Sequence, residues 1–344
     1  MTDLKCMALP EIETLFQAEG LPKFRAKQVY HWLHRGVTSF SEMSDLSKDL
    51  REKLAARYTF AVAKVERKQV SKIDGTIKYL FSFADGATVE SVLMQYKHGY
   101  SICVSTQVGC KMGCTFCATG KSGYLRNLLP SEILAQIQAA EQDAGVRISN
   151  IVLMGMGEPL DNYDNVLRFL ELVSSEEGMN IGMRHISLST CGLVDKIDEL
   201  AKEKLQLTLS VSLHAPNDKI RSRTMPINRK WNVEQLLDAC RRYADTTHRR
   251  ISFEYAMIDG VNDSDACALE LASRLKGILC HVNLIPVNSV EGTGYHRSAR
   301  IEKFSTLLLN RGIPTTVRRT LGSDIDASCG QLRRRTLRET KQDS

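Results

Sequence analysis

Along the chain the spacing of apolar positions changes its period twice. Over residues 9–57 it is helical, with residues 11–18 forming one helix ended by Gly20 and a second running to Arg35 before Gly36, its Pro22 at a position that a first helical turn tolerates. On that second helix Val29, Trp32 and Leu33 fall on one side, and Lys23, Lys27, His31 and His34 fall on the other. Residues 61–96 switch to strand-like alternation, with Ile73-Asp74-Gly75-Thr76 and Ala84-Asp85-Gly86-Ala87 as the turns of a small antiparallel meander. From Ser101 onward, strand-like runs (SICVSTQVG, NIVLMGM, HISLST, LTLSVSLHA, ISFEYAMI, HVNLIPVN) are each followed by a helical stretch. Repeated βα units with apolar strands imply a parallel sheet covered by helices, and leave a closed barrel, an open sheet and a partial barrel as alternatives. In all of these, ligands sit at the carboxyl ends of the strands.

The pattern divides the 344 residues into a helical module at 1–60, an antiparallel strand linker at 61–96, a core at 97–332 and a basic tail at 333–344. With 43% apolar residues the chain can bury a sizeable core. The opening MTDLKCMALPE lacks the apolar stretch of a signal peptide, and no run approaches the length of a membrane span, so a cytoplasmic protein without a membrane partner is expected. Ten cysteines in a reducing compartment point to metal, redox or catalytic use of some of them. Cys6, Cys240 and Cys267 read as ordinary buried residues, and Cys191 and Cys280 as packing residues. The net charge of +6 is a mild excess, gathered at Lys23, Arg25, Lys27 and Arg35, at Lys64, Arg67 and Lys68, at Arg221, Arg223, Arg229 and Lys230, and at Arg333, Arg334 and Arg335. Such clusters suit a polyanion, although any one of them alone reads as a solvated face.

Chemistry concentrates at Cys110, Cys114 and Cys117, three soft thiols in a CxxxCxxC spacing directly after a strand. A structural zinc site wants four ligands, usually as CxxC pairs, whereas a cubane iron–sulfur cluster held by three cysteines keeps one iron open. The spacing resembles that of the radical S-adenosylmethionine (SAM) enzymes. Taken with Cys103-Val104-Ser105-Thr106-Gln107-Val108-Gly109-Cys110, Met154-Gly155-Met156-Gly157-Glu158-Pro159, Ser212-Leu213-His214-Ala215-Pro216-Asn217 and residues 324–332, DIDASCGQL, the chain closely resembles the RlmN family of dual-specificity RNA methyltransferases.

That resemblance implies a partial (β/α)6 barrel with the helical module as an RNA-contacting accessory domain. It implies a [4Fe-4S] cluster on Cys110, Cys114 and Cys117, with SAM contacted by Gly157, Glu158, Ser189, Ser212, Leu213, His214 and Asn288. Cys329 would take a methyl group from one SAM as S-methylcysteine, and a radical derived from a second SAM would activate that methyl for addition to an adenine carbon. Cys103 would help to remove the ring proton and resolve the adduct as a disulfide with Cys329, and Glu90 matches a position proposed as a proton acceptor. The implied product is adenine methylated at C2 in 23S rRNA and tRNA. The implied partners are an electron donor such as flavodoxin or ferredoxin and a thioredoxin-like thiol reductant, with the enzyme a monomer. Three alternatives stay open. A Cfr-like enzyme would methylate C8, but that branch tends to lack the proline after GMGE and the Ala-Pro after SLH, so Pro159, Ala215 and Pro216 favour RlmN. Another radical SAM enzyme, such as an activating enzyme, would need the clustered cysteines alone. The third is a non-catalytic RNA-binding protein with structural zinc.

Overall fold

The computed structural model describes residues 1–287, 294–325 and 332–333. At the amino end β1 (Thr2–Asp3) pairs in parallel with β2 (Tyr58–Thr59), closing a module of α1 (Leu9–Ala18), α2 (Lys23–His34) and α3 (Lys48–Arg57). Each helix turns one apolar stripe inward, Ile12 and Phe16, then Ala26, Val29, Tyr30 and Leu33, then Leu50 and Leu54, all buried. His34, expected on the cationic side of α2, is buried instead, its ring tilted against that of Tyr30 with the centroids 4.2 Å apart. Position 34 is one turn beyond Tyr30, on the flank where the helix meets the core.

The meander expected at 61–96 forms as β3 (Lys64–Val70), β4 (Ile77–Ser82) and β5 (Thr88–Tyr96), all antiparallel. Strand β5 then pairs antiparallel with β6 (Gly99–Cys103), placing Val92 opposite Cys103, so meander and core share one sheet. Next, β7 (Gln107–Gly109) and β8 (Tyr124–Asn127) form a separate two-stranded hairpin. The βα units follow: α4 (Pro130–Ala144), β9 (Ile148–Leu153), α5 (Tyr163–Ser174), β10 (Ile186–Thr190), α6 (Val194–Lys202), β11 (Thr208–Ser212), α7 (Asp218–Thr224), α8 (Val233–Thr247), β12 (Ile251–Met257), α9 (Asp265–Leu275), β13 (Cys280–Pro286), α10 (Ile301–Asn310) and β14 (Thr315–Val317). Among the described residues the main sheet has ten strands in the order β14-β13-β12-β11-β10-β9-β6-β5-β4-β3, parallel from β14 to β6. Among the described residues its two ends are not hydrogen-bonded to each other, which the expected partial barrel allows.

Helix starts are written locally. Asn232 caps α8 by accepting from Gln235 N at 2.9 Å while Gln235 Oε1 accepts from Asn232 N at 3.0 Å, a reciprocal pair that satisfies two donors at the helix start. The two faces of the parallel sheet differ. Leu188, Leu209, Val211, Phe253, Tyr255, Val282 and Leu284 lie in the apolar core with the helices. The alternate positions Ser187, Ser189, Ser210, Ser212, Glu254, Asn283 and Thr316 line up in register as a polar face. Among the described residues no helix is long and apolar enough to cross a membrane.

Candidate functional site

The cysteine loop hangs from the β7–β8 hairpin. Its base is closed by Cys110 N donating to Gly123 O at 2.9 Å, and only glycine fits at position 109, where φ is +85° and a Cβ would lie 1.9 Å from the Gly123 oxygen. Within it, Cys117 N donates to Cys114 O at 3.1 Å. The far side is stitched to α7 by Thr115 N donating to Thr224 O at 2.9 Å, and the Thr115 and Tyr295 hydroxyls are bonded at 2.9 Å.

All three thiols are half-buried. Burial pushes Cys110 up to about 12, and Glu158 and Cys117 push the same way. Cys114 is raised by burial and then by Cys117 and Cys110. Among the described residues no three His, Cys, Asp or Glu side chains converge as the ligands of a single ion do. What fits a polynuclear iron–sulfur group is the donor set: three soft thiols close enough to oppose one another's ionisation, a penalty that a cationic iron core removes.

Around this loop stand the carboxyl ends of the strands. Gly157 and Glu158, expected to end the second core strand, lie beyond it, because the chain turns back after β9 and Met156 O accepts from both Thr106 N and Gln107 N. Gly157 has φ +107°, and a Cβ there would meet the Gln107 Cβ at 2.7 Å. The Glu158 carboxylate is buried and accepts from Leu160 N at 3.1 Å and Cys191 N at 2.7 Å. Burial raises its pKa, and those backbone donors oppose the rise. The motif acid thus braces the turn after β10.

Ser189 and Ser212 are half-buried on the polar face, and Leu213 is fully buried just beyond β11. His214 has φ +56°, its Nδ1 accepts from Ala256 N at 2.9 Å, and its ring meets Phe116 of the cysteine loop edge-on at 4.9 Å. That bond leaves the proton on Nε2. Burial, followed by the charge of Arg221, holds the ring neutral with a pKa of about 3.

The adjoining wall carries Cys103 and Glu90. Cys103 is buried with Val92 and Met94, and Met154 and Leu321 pack against it. Glu90 does not lie on an edge: β5 runs between β4 and β6, and the carboxylate makes a 2.8 Å ion pair with Lys78, both side chains at most 1% exposed. Glu90 also accepts from Arg333 N at 2.6 Å. Cys329 and Asn288 lie outside the described residues.

Two buried groups escaped the sequence reading. Glu254 accepts from Ser252 Oγ at 3.0 Å and Asn283 Nδ2 at 2.8 Å in the middle of the polar face, and burial raises its pKa against Arg318. An acid within the apolar run ISFEYAMI was its signal. Arg221, read as part of a surface cluster, is fully buried, donating to Leu213 O, Ser212 O, Cys191 O and Asn228 Oδ1. Nothing in its immediate sequence distinguishes it from Arg223, which is exposed.

On the surface, Lys23, Lys27 and His31 of the expected cationic stripe of α2 have acidic partners. Lys23 pairs with Glu13 at 3.0 Å, and Lys27 and His31 share Glu177 at 2.7 and 2.8 Å. Lys219, Arg223, Arg229 and Lys230 around α7 are exposed and in no ion pair among the described residues. Lys230 lies 3.9 Å from the Trp231 ring centroid in a surface cavity of about 360 Å3 that also includes Asp161 and Lys196.

Comparison with known proteins agrees with this geometry. The radical SAM superfamily profile matches residues 104–271, and the ribosomal RNA large subunit methyltransferase N-terminal domain matches residues 2–59. A probable dual-specificity RNA methyltransferase RlmN of Clostridium novyi is 52% identical over 98% of this chain and 99% of its own length. Its counterpart in Clostridium tetani is 51% identical over 100% of this chain and 99% of its own length. A crystal structure of a radical SAM methyltransferase from Sphaerobacter thermophilus superposes with a TM-score of 0.92 at 48% identity, covering 96% of this chain and 99% of that one. The chain belongs to the RlmN family of dual-specificity RNA methyltransferases, within the radical SAM superfamily.

Proposed function

We propose that the enzyme methylates C2 of an adenosine in 23S rRNA, at the peptidyl-transferase centre, and of an adenosine next to the anticodon of some tRNAs. The observation that carries this reading is the buried Cys103 on the wall shared with Glu90, at the end of the strand that leads into the cysteine loop. Cys110, Cys114 and Cys117 would hold a [4Fe-4S] cluster, with Gly157, Glu158, Ser189, Ser212, Leu213 and His214 around SAM and Asn288 assigned by motif. Bound together, cluster and SAM supply one-electron chemistry at a sulfonium, which the protein's own groups lack.

The remaining steps fall to side chains. Cys329 would carry the methyl group. Cys103 would take part in removing the proton from the methylated ring carbon, the adduct's odd electron returning to the electron-donor couple; its thiolate would then attack the Cys329 sulfur, breaking the bond to the methylene carbon, which takes up a proton as the product leaves, and leaving a disulfide for an external thiol reductant. Glu90, fixed by Lys78, is the second candidate proton acceptor. Described residues on both sides of Cys329 are tied to the meander: Asp324 accepts from Ser71 Oγ at 2.6 Å and Lys72 N at 2.8 Å, and Arg333 holds Glu90.

For RNA, the unpaired cations around α7 and the half-exposed Trp231 beside Lys230 combine phosphate contacts with a ring on which a base can stack. A target base in folded RNA would be extruded to reach the polar face. The test is to digest RNA from cells with and without the gene. Loss of 2-methyladenosine on deletion supports the reading, and loss of 8-methyladenosine overturns it in favour of Cfr-type chemistry. Anaerobic protein that is colourless, with zinc and no acid-labile sulfide, defeats both.

A further inference from the structure

Arg221 is the largest fully buried side chain among the described residues, and its guanidinium has no acidic partner there. Its bonds run to neutral acceptors: Leu213 O at 3.1 Å, Ser212 O at 3.2 Å, Cys191 O at 2.6 Å and Asn228 Oδ1 at 3.1 Å. Asp218, in the same helix, is engaged elsewhere, accepting from Asn228 Nδ2 at 3.0 Å and Val233 N at 2.7 Å. An arginine stays charged in a protein, and a charge removed from water without a counter-charge is costly. A fold that needed only a clasp for three carbonyls could use a neutral amide.

The guanidinium joins the carboxyl ends of β10 and β11. Its helix α7 is bonded through Thr224 to Thr115, the residue after Cys114. Arg221 also favours the thiolate of Cys114 and of Cys191. Resting on the proposed cluster, we infer that Arg221 is the counter-cation of the cluster site, and that its buried positive charge raises the potential at which the cluster accepts its electron.

Three thiolates give a cubane cluster a net negative charge, and each electron added makes it more negative. A fixed cation in a low-dielectric setting therefore favours the reduced form. Arg221 acts as a positioning residue at the same time, since its donors hold the carbonyls of residues 191, 212 and 213, and the two roles separate by charge.

The experiment compares anaerobically reconstituted wild type, Arg221→Lys and Arg221→Gln by iron and sulfide content, thermal unfolding and an EPR-monitored redox titration. The Gln variant should show at least a tenfold lower ratio of reduced to oxidised cluster at a fixed potential, a midpoint about 59 mV lower. The Lys variant keeps the charge and should stay within about threefold of wild type while losing thermal stability, because one ammonium cannot replace the four bonds. A Gln variant that is loaded and titrates like wild type overturns the inference, as does a Lys variant that falls as far as Gln. Should Gln not load, Lys is titrated again above the pH at which its ammonium loses its proton: a midpoint that falls relative to wild type at the same pH supports the inference, and one that tracks wild type sinks it. Wild type without sulfide would sink the cluster reading itself.

Discussion

Lys78 and Glu90 show how much a single buried pair can matter here. With both side chains at most 1% exposed and 2.8 Å apart, removing Lys78 takes away the opposite charge beside a carboxylate held out of water. Lys78→Met should therefore destabilise the fold by about 3–5 kcal/mol, and Lys78→Met with Glu90→Leu should recover most of that loss, measured by urea unfolding. Equal destabilisation of single and double variants would contradict the account. His34 makes a second prediction. Burial, then Lys5 and His31, lower its pKa from 6.5 to about 3, and neither ring nitrogen has a hydrogen-bond partner among the described residues. The unfolded chain takes up the proton first, so stability is full above 6.5 and falls as the pH drops toward 3. The slope is about 1.4 kcal/mol per pH unit. Urea unfolding from neutral pH to about pH 5 should show a shallower decline in His34→Phe, and an identical decline would mean that His34 does not titrate in this way.

Among the helices, α2 and α7 exchange the roles that composition suggests. The α2 stripe is basic in sequence, but Glu13 and Glu177 answer its cations, and Glu177 is 150 residues away from Lys27 in the chain. Around α7 the cations remain open to solvent. Changing Lys219, Arg223, Arg229 and Lys230 to Gln should weaken RNA binding, each lost phosphate contact reducing the slope of log K against log salt by about 0.7–0.9. Lys23→Gln with Lys27→Gln should change RNA affinity little. The reverse ranking in a salt-dependent binding assay would return the RNA contact to the amino-terminal module.

For the whole molecule, the decisive feature is that the meander and the parallel strands make one sheet, and that the segment after β14 crosses to its far end. Gly322 N donates to Asp74 Oδ2 at 2.8 Å, and Asp324 binds Ser71 and Lys72, so the β3–β4 turn receives the chain shortly before Cys329. Asp324→Ala should leave the visible absorption of the reconstituted protein intact, speed amide exchange at Lys72 and lower methyl transfer. Unchanged exchange at Lys72 would show that Asp324 does not hold the turn.

The chain alone determined the elements and the family. Period and turn residues placed each βα unit and the meander, since these depend on neighbours a few positions apart, and the cysteine spacing by itself put three thiols on one loop. The sequence also divided cations into clusters, but burial belongs to the fold. Arg221 and Arg223 are two residues apart, yet one lies under the strand ends and the other faces water. Only the tertiary structure set Glu90 against Lys78, placed Glu254 in the polar face and brought Glu177 to Lys27, because each depends on partners brought together across long stretches of chain. Local pattern fixes which way a residue faces along its element, and only packing decides what it meets there.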